Sequence, residues 1–177
     1  MANLEDAPTT EKMIGSLSAL FRYNLKNVEH KIALAQELKI ARDYMYLQQM
    51  RFGSRIEYQE DIRVNVDEVI VPSYLLQPLI ENSIIHGLAR KEKGGWVKVR
   101  VKWVNNDLHV IVGDNGIGIP RKHLETIRKT FETGDFKGIG VGNIYKRIRS
   151  NMWKGSMTIS SKENMGTIIR IIIPNNR

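Results

Sequence analysis

Three short stretches in a fixed order constrain this chain more than anything else in it. The first is Gln77-Pro78-Leu79-Ile80-Glu81-Asn82-Ser83-Ile84-Ile85-His86-Gly87. Asp114-Asn115-Gly116-Ile117-Gly118-Ile119-Pro120 and Gly138-Ile139-Gly140-Val141-Gly142-Asn143 follow it. Pro78 must sit in the first turn of a helix or kink it, and Gly87 can end that helix. The second stretch sets an acid beside glycines after the apolar run Val110-Ile111-Val112. The third is a glycine cluster that opens a helix. Taken singly, each also suits a plain role: a solvated helix end, an Asp-Asn-Gly turn, a loop-to-helix junction. Taken together in this order, they describe a nucleotide site.

The chemistry follows from residue type and spacing. Asn82 and His86 are four apart and share a helix face, whereas Glu81 points about 100° away. The Asn82 amide oxygen is a hard, neutral ligand suited to Mg²⁺ otherwise held by phosphates and water. An acid beside it can orient water or polarise an attacking group. Asp114, at a strand end, can accept the amino group of adenine, and Gly116 and Gly118 allow unusual dihedrals and close approach of a flat base. Backbone amides around Gly138, Gly140 and Gly142 at a helix start attract phosphates. The chain has no Walker A loop, and Asn143 stands where a dinucleotide fingerprint needs its third glycine. His30, His109 and His123 lack the spacing of a metal pair and read as structural or solvated. His86 takes a supporting role beside Asn82.

The 177 residues suit one ordinary domain with a helical appendage, and a 42% apolar content supplies a core. There is no cysteine, hence no disulfide or thiolate chemistry. No run approaches the roughly 18 apolar residues of a membrane span. The net charge of +8 invites nucleic acid. However, Lys98, Arg100 and Lys102 alternate with Val97, Val99, Val101 and Trp103, the pattern of one solvated strand face. The basic balance equally suits ATP or an acidic protein partner, and nucleic acid is not expected as a ligand.

Hydrophobic periodicity predicts helices over residues 11–26, with Met13, Leu17, Leu20, Phe21 and Leu25 in register, and over 34–52, ended by Gly53. Residues 55–66 read as extended. A helix runs to about His86, and a hairpin spans 96–104 and 108–112 around Asn105-Asn106-Asp107. A short helix covers 122–130, a flexible link 133–137, and a helix 140–152 carries Ile144, Ile148 and Met152. Strands at 156–160 and 167–173 are β-branched and read as buried. The alternation implies an α/β fold: one sheet with helices packed against it.

The three stretches resemble the N, G1 and G2 boxes of the histidine-kinase, gyrase and chaperone ATPase superfamily, and most closely those of YesM/LytS-type sensor histidine kinases. Leu76 to Asn82, Asp114 to Pro120 and Gly138 to Asn143 carry the likeness. Leu20-Phe21-Arg22-Tyr23, Tyr46 to Gly53 and Gly166-Thr167 extend it over about residues 17–174. The resemblance implies a two-layer sandwich of a mixed β-sheet against helices (the Bergerat-type ATP-binding fold). Residues 1–52 would be a tail and the end of the dimerisation helices, and 53–177 the ATP-binding catalytic domain. It also implies that Asn82 binds Mg²⁺, that Glu81 assists phosphoryl transfer, and that Asp114 recognises adenine with help from Gly116, Gly118 and Thr167. Gly138, Gly140 and Gly142 would form the phosphate-facing end of a lid over 121–137.

Two departures stand out. Many sensor kinases carry a basic residue three positions after the metal-binding Asn, where this chain has Ile85; the phosphate contact is then either missing or supplied elsewhere, with Lys137 the candidate. The family's phosphoacceptor box, a His-Phe sequence before Leu20, is absent. The expectation is therefore a catalytic fragment of a cytoplasm-facing sensor kinase that binds Mg-ATP and donates phosphate to a histidine supplied by the parent's phosphoacceptor region. A response regulator would be the next recipient. The fragment itself would make no membrane contact, although its parent would be membrane-bound. Two rivals share the boxes: a serine kinase of the anti-sigma type, and an ATP-sensing module that binds without transfer.

Overall fold

The computed structural model describes residues 7–25, 31–134, 136 and 141–175. Five strands form one mixed sheet: β2 (Ile56–Arg63), β4 (Gly95–Val104), β5 (Asp107–Asp114), β6 (Ser156–Lys162) and β7 (Gly166–Pro174), in the spatial order β2-β4-β5-β7-β6. β2 and β4 run parallel; every other neighbour is antiparallel. The β4–β5 turn is Asn105-Asn106, both at positive φ (49° and 68°), the two-residue geometry whose twist matches that of paired strands.

Alternation makes the sheet one-sided. Val97, Val99 and Val101 are buried while Lys98, Arg100 and Lys102 lie on the other face. β6 and β7 follow the same rule: Met157, Ile159, Ile169 and Ile171 go inward, whereas Thr158, Ile168 and Arg170 are exposed. The expectation that these two strands would be buried is therefore half correct, because helices cover one face only.

The helical layer consists of α2 (Leu34–Phe52), α3 (Gln77–Asn82), a π-helical turn (Ser83–Leu88), α4 (Arg121–Thr133) and α5 (Gly142–Ile148), with α1 (Pro8–Leu25) packed on α2. The expected helix to His86 exists, but its second half is π-wound, marked by the Ala89 N–H bonding the Ile84 carbonyl five residues back at 2.8 Å. A small ribbon absent from the sequence reading pairs β1 (Ile32–Ala33) with β3 (Ile70–Val71). It straps the start of α2 to the approach to α3. Leu34, Leu38 and Met45 of α2 share one core with Leu75, Leu79 and Val99.

Three further expectations need correction. On α1 most of the predicted apolar stripe faces out: Met13, Leu17, Phe21 and Leu25 are exposed, and only Leu20 of that stripe is buried, beside Ser16 and Tyr23 on the α2 side. α5 ends at Ile148, and successive turns over Ser150 to Lys154 bury Trp153 and leave Met152 exposed. Of the flexible link expected over 133–137, positions 135 and 137 lie outside the described residues, and Phe136 is buried against Phe131 and Tyr145. That aromatic cluster pins α4 to α5, with the Phe131 and Tyr145 rings stacked at 5.0 Å. Positions 138–140, including Gly138 and Gly140, lie outside the described residues, as do Lys137 and His30.

Candidate nucleotide-binding site

Asp114 is the last residue of β5, in register with Val97 of β4 and Thr167 of β7. Two neighbouring strands thus fix its backbone, and its side chain is 5% exposed. The carboxylate accepts the Gly116 N–H at 2.8 Å, closing an Asx turn. Burial pushes its pKa up; bonds from the Gly116 N–H, the Ser83 hydroxyl and Thr167, with the charge of Lys91, pull it back. Lys91 also donates to the Asn115 carbonyl at 2.6 Å, and the Trp96 N–H donates to Asn115 Oδ1 at 2.7 Å. The acid is therefore held rigidly from below.

Glycine is required here by contact. A Cβ on Gly116 would stand 2.6 Å from the Gly87 backbone, so the end of the π-turn rests directly on the Asp114 loop. The Ile117 N–H completes that seam by donating to the Gly87 carbonyl at 3.2 Å. Gly118 has φ +68°, and a Cβ there would meet the Lys162 carbonyl at 2.1 Å.

Above Asp114 opens a cavity of about 460 Å³, the size of a small-molecule site. Its walls are apolar: Leu79 from α3, Val112 and Ile169 from the sheet, Ile119, Ile127 and Val141 from the segments facing them. Of the expected site residues, Asn82, His86, Asp114, Gly118 and Thr167 line it together. Gly116 supports Asp114 from behind. Gly142 is buried against Phe136, and its neighbour Val141 reaches the cavity instead. Glu81 does not line the cavity; its carboxylate accepts the Gln77 amide at 2.8 Å on another face of α3.

Sequence reasoning missed Ser83, Arg90 and His123, all at the cavity. Ser83 follows Asn82 and was legible only once the π-turn was known. Arg90 lies beyond the expected helix end, and the expectation for His123 is a structural or solvated side chain. Ile85 is 53% exposed and does not line the cavity; among the described residues the Lys or Arg side chain that does is Arg90. A larger groove of about 600 Å³, walled by Trp103, Trp153 and Met152, lies at the opposite end of the strands. Glu68 is its one acid, set among exposed loop residues and without the fixed bonds that hold Asp114.

Among the described residues no cluster of three His, Cys, Asp or Glu side chains could cage a metal ion. One amide oxygen at the cavity edge, from Asn82, fits a cation that brings its remaining ligands from phosphate and water, which is how Mg²⁺ is usually held. No helix among the described residues is long and apolar enough to cross a membrane.

Comparison with known proteins shows the family and the fold. Residues 69–177 match the family described as histidine kinase-, DNA gyrase B-, and HSP90-like ATPase, and residues 1–56 match a histidine kinase family. The chain is 34% identical to the sensor protein LytS of Enterococcus faecalis over 175 residues, covering 96% of this chain and 29% of that protein. It is 31% identical to the uncharacterized protein YwpD of Bacillus subtilis over 153 residues, covering 85% and 53% respectively. The chain thus spans about half, or less, of the length of these relatives. Among solved structures, it is similar to the histidine kinase domain of the Erythrobacter litoralis blue-light activated kinase, with a TM-score of 0.58, 18% identity and coverage of 94% and 74%. The catalytic domain of the histidine kinase ThkA gives 0.57 at 20% identity, covering 81% and 93%. Both share the fold.

Proposed function

The chain belongs to the histidine kinase-, DNA gyrase B-, and HSP90-like ATPase family, and we propose that it is the ATP-binding, phosphoryl-donating region of a sensor histidine kinase. The observation that carries this reading is Asp114: a buried carboxylate fixed at a strand end, on the floor of an apolar cavity whose rim holds Asn82 and His86.

In this reading adenine enters between the apolar walls and donates its amino group to Asp114, a charged hydrogen bond worth about 1.5–3 kcal/mol. Thr167, whose hydroxyl lies 2.9 Å from that of Ser161, adds a second polar contact at the same end. The phosphates run toward Asn82, and the backbone amides of Gly138 and Gly140 serve as their donors in this proposal, whereas Gly142 packs on Phe136. Asn82 would hold Mg²⁺, which would supply neutralisation of the phosphate charge. Glu81 lies on α3 beside Asn82 and outside the cavity lining, and in this proposal it assists the transfer.

The wider roles belong to the same proposal. Residues 1–52 serve as the end of the dimerisation helices and 53–177 as the nucleotide-holding unit. The acceptor histidine comes from the parent kinase's phosphoacceptor region, a response regulator takes the phosphate next, and the region works on the cytoplasmic side of a membrane-bound parent. Titration calorimetry with ATP, ADP and GTP, each with and without Mg²⁺, tests the nucleotide reading. Adenine nucleotides should bind and GTP should not. Absence of adenine-nucleotide binding by the folded chain would refute it.

A further inference from the structure

Glu37 of α2 is completely buried and lies outside the cavity, yet both its carboxylate oxygens are in use. Oε2 accepts the backbone N–H groups of Leu75 at 3.0 Å and Leu76 at 2.8 Å, the two residues that lead into α3. Oε1 accepts a short hydrogen bond from the Tyr23 hydroxyl of α1. The Tyr23 oxygen accepts the Tyr74 N–H at 2.7 Å, and the Tyr74 hydroxyl returns a bond to the Tyr23 carbonyl at 2.6 Å. Their rings lie 4.4 Å apart. On its far side Tyr74 meets the Arg147 guanidinium of α5 at 5.6 Å, and that group donates to the Ser73 carbonyl. Residues Ser73 to Leu76 are thus gripped from α1, α2 and α5 at once.

A buried carboxylate is unfavourable unless its bonds serve a purpose. Burial pushes the Glu37 pKa up, while the Tyr23 hydroxyl and three backbone donors pull it back. Burial and the neighbouring carboxylate hold the Tyr23 hydroxyl protonated far above its ordinary range, so it remains a donor. α3 has no side-chain cap of its own. It carries Leu79 and Asn82 into the cavity, and its π-turn carries Ser83 and His86.

We propose that Glu37 is a positioning residue for the nucleotide site: it caps α3 from the neighbouring helix, and Tyr23 holds it there, so that the placement of α1 and occupancy of the cavity are linked. This rests on the nucleotide reading of the cavity. Linkage makes it reciprocal: nucleotide that favours the capped α3 must also favour the docked α1.

The test uses the full chain with Tyr23→Phe, Glu37→Gln and, as a stability control, Val101→Ala, a fully buried residue of β4 away from the cavity. Tyr23→Phe keeps the ring but leaves Glu37 Oε1 without its donor. Glu37→Gln removes the charge and sets an amide N–H against the Tyr23 hydroxyl. ADP affinity is read by calorimetry, and backbone amide exchange over residues 75–88 is followed without nucleotide. Both network variants should bind ADP about tenfold more weakly, the loss of one charged hydrogen bond, and exchange faster over α3. Val101→Ala, at a comparable fall in Tm, should bind within about twofold of wild type. In wild type, ADP should also slow exchange in α1, and in Tyr23→Phe it should not.

Wild-type affinity in the folded network variants overturns the proposal; if Glu37→Gln fails to fold, Tyr23→Phe decides. If wild type itself binds no adenine nucleotide, the nucleotide reading fails. The exchange data then judge Glu37 separately: unchanged α3 exchange removes its positioning role, and faster exchange upholds it.

Discussion

Replacing Asp114 by Asn separates the cost of the site from its use. Asp114 is 5% exposed and burial raises its pKa above the ordinary value near 3.8. A carboxyl with a raised folded-state pKa contributes stability that is complete below its unfolded pKa and is lost as pH rises through the folded one. At neutral pH the charge therefore works against folding. Asparagine retains an oxygen that can accept the Gly116 N–H now held at 2.8 Å, so the loop should keep its shape. The variant should melt at or above the wild-type temperature at pH 7, and the loss of stability that titration of Asp114 is expected to cause as pH rises should disappear. Adenine recognition should suffer instead: losing about 1.5–3 kcal/mol of charged hydrogen bond weakens ADP by roughly ten- to more than a hundredfold. The Asn amide can also donate to the oxygen that guanine carries in place of adenine's amino group, so selectivity against GDP should narrow. Calorimetry with ADP and GDP, beside thermal melts from pH 4 to 8, reads both arms. Unchanged ADP affinity in a stable variant would refute the assignment of Asp114 to adenine. A weaker affinity accompanied by a lower Tm would show that the carboxylate is structural.

Other perturbations test separate parts of the site. Asn82→Ala should reduce the gain in ATP affinity on adding Mg²⁺ by about tenfold or more, with binding in chelator largely unchanged, as read by paired titrations. Gly118→Ala forces a side chain into positive φ and against the Lys162 carbonyl; a loss of about 2 kcal/mol, seen as a Tm lower by about 4–8 °C, is expected. Tyr145→Phe keeps the 5.0 Å ring stack on Phe131 but removes the hydroxyl's bond to the Phe131 carbonyl, so denaturant unfolding should show a loss of about 1 kcal/mol.

Much of the architecture was legible because local pattern and tertiary outcome agree. Alternation along Val97 to Val101 and the polar turn at Asn105-Asn106 give the central hairpin, and Gly53 ends α2 where expected. Asn82, His86, Asp114, Gly118 and Thr167 converge because the strand ends and α3 must meet where the glycines permit backbone contact. What was hidden depends on distant partners. The burial of Glu37 is set by amides nearly forty positions away, and no window of α2 records it. The exposed face of α1 has the same period as a buried one, so periodicity alone could not choose its side. The π-turn, which brings Ser83 to the cavity, leaves no signature that a helix pattern would reveal. The β1–β3 ribbon is two residues long on each side, too short for a strand pattern.

The central claim is phosphoryl donation, and the direct measurement is transfer of label. The chain is mixed with γ-labelled ATP, Mg²⁺ and a helical fragment bearing the family's phosphoacceptor histidine, then the products are divided between acid and alkali. The account predicts label on the added fragment that acid removes and alkali spares, and that disappears with Asp114→Asn at limiting ATP. A chain that binds ATP yet leaves the fragment unlabelled, or that yields an acid-stable phosphoserine, would contradict it.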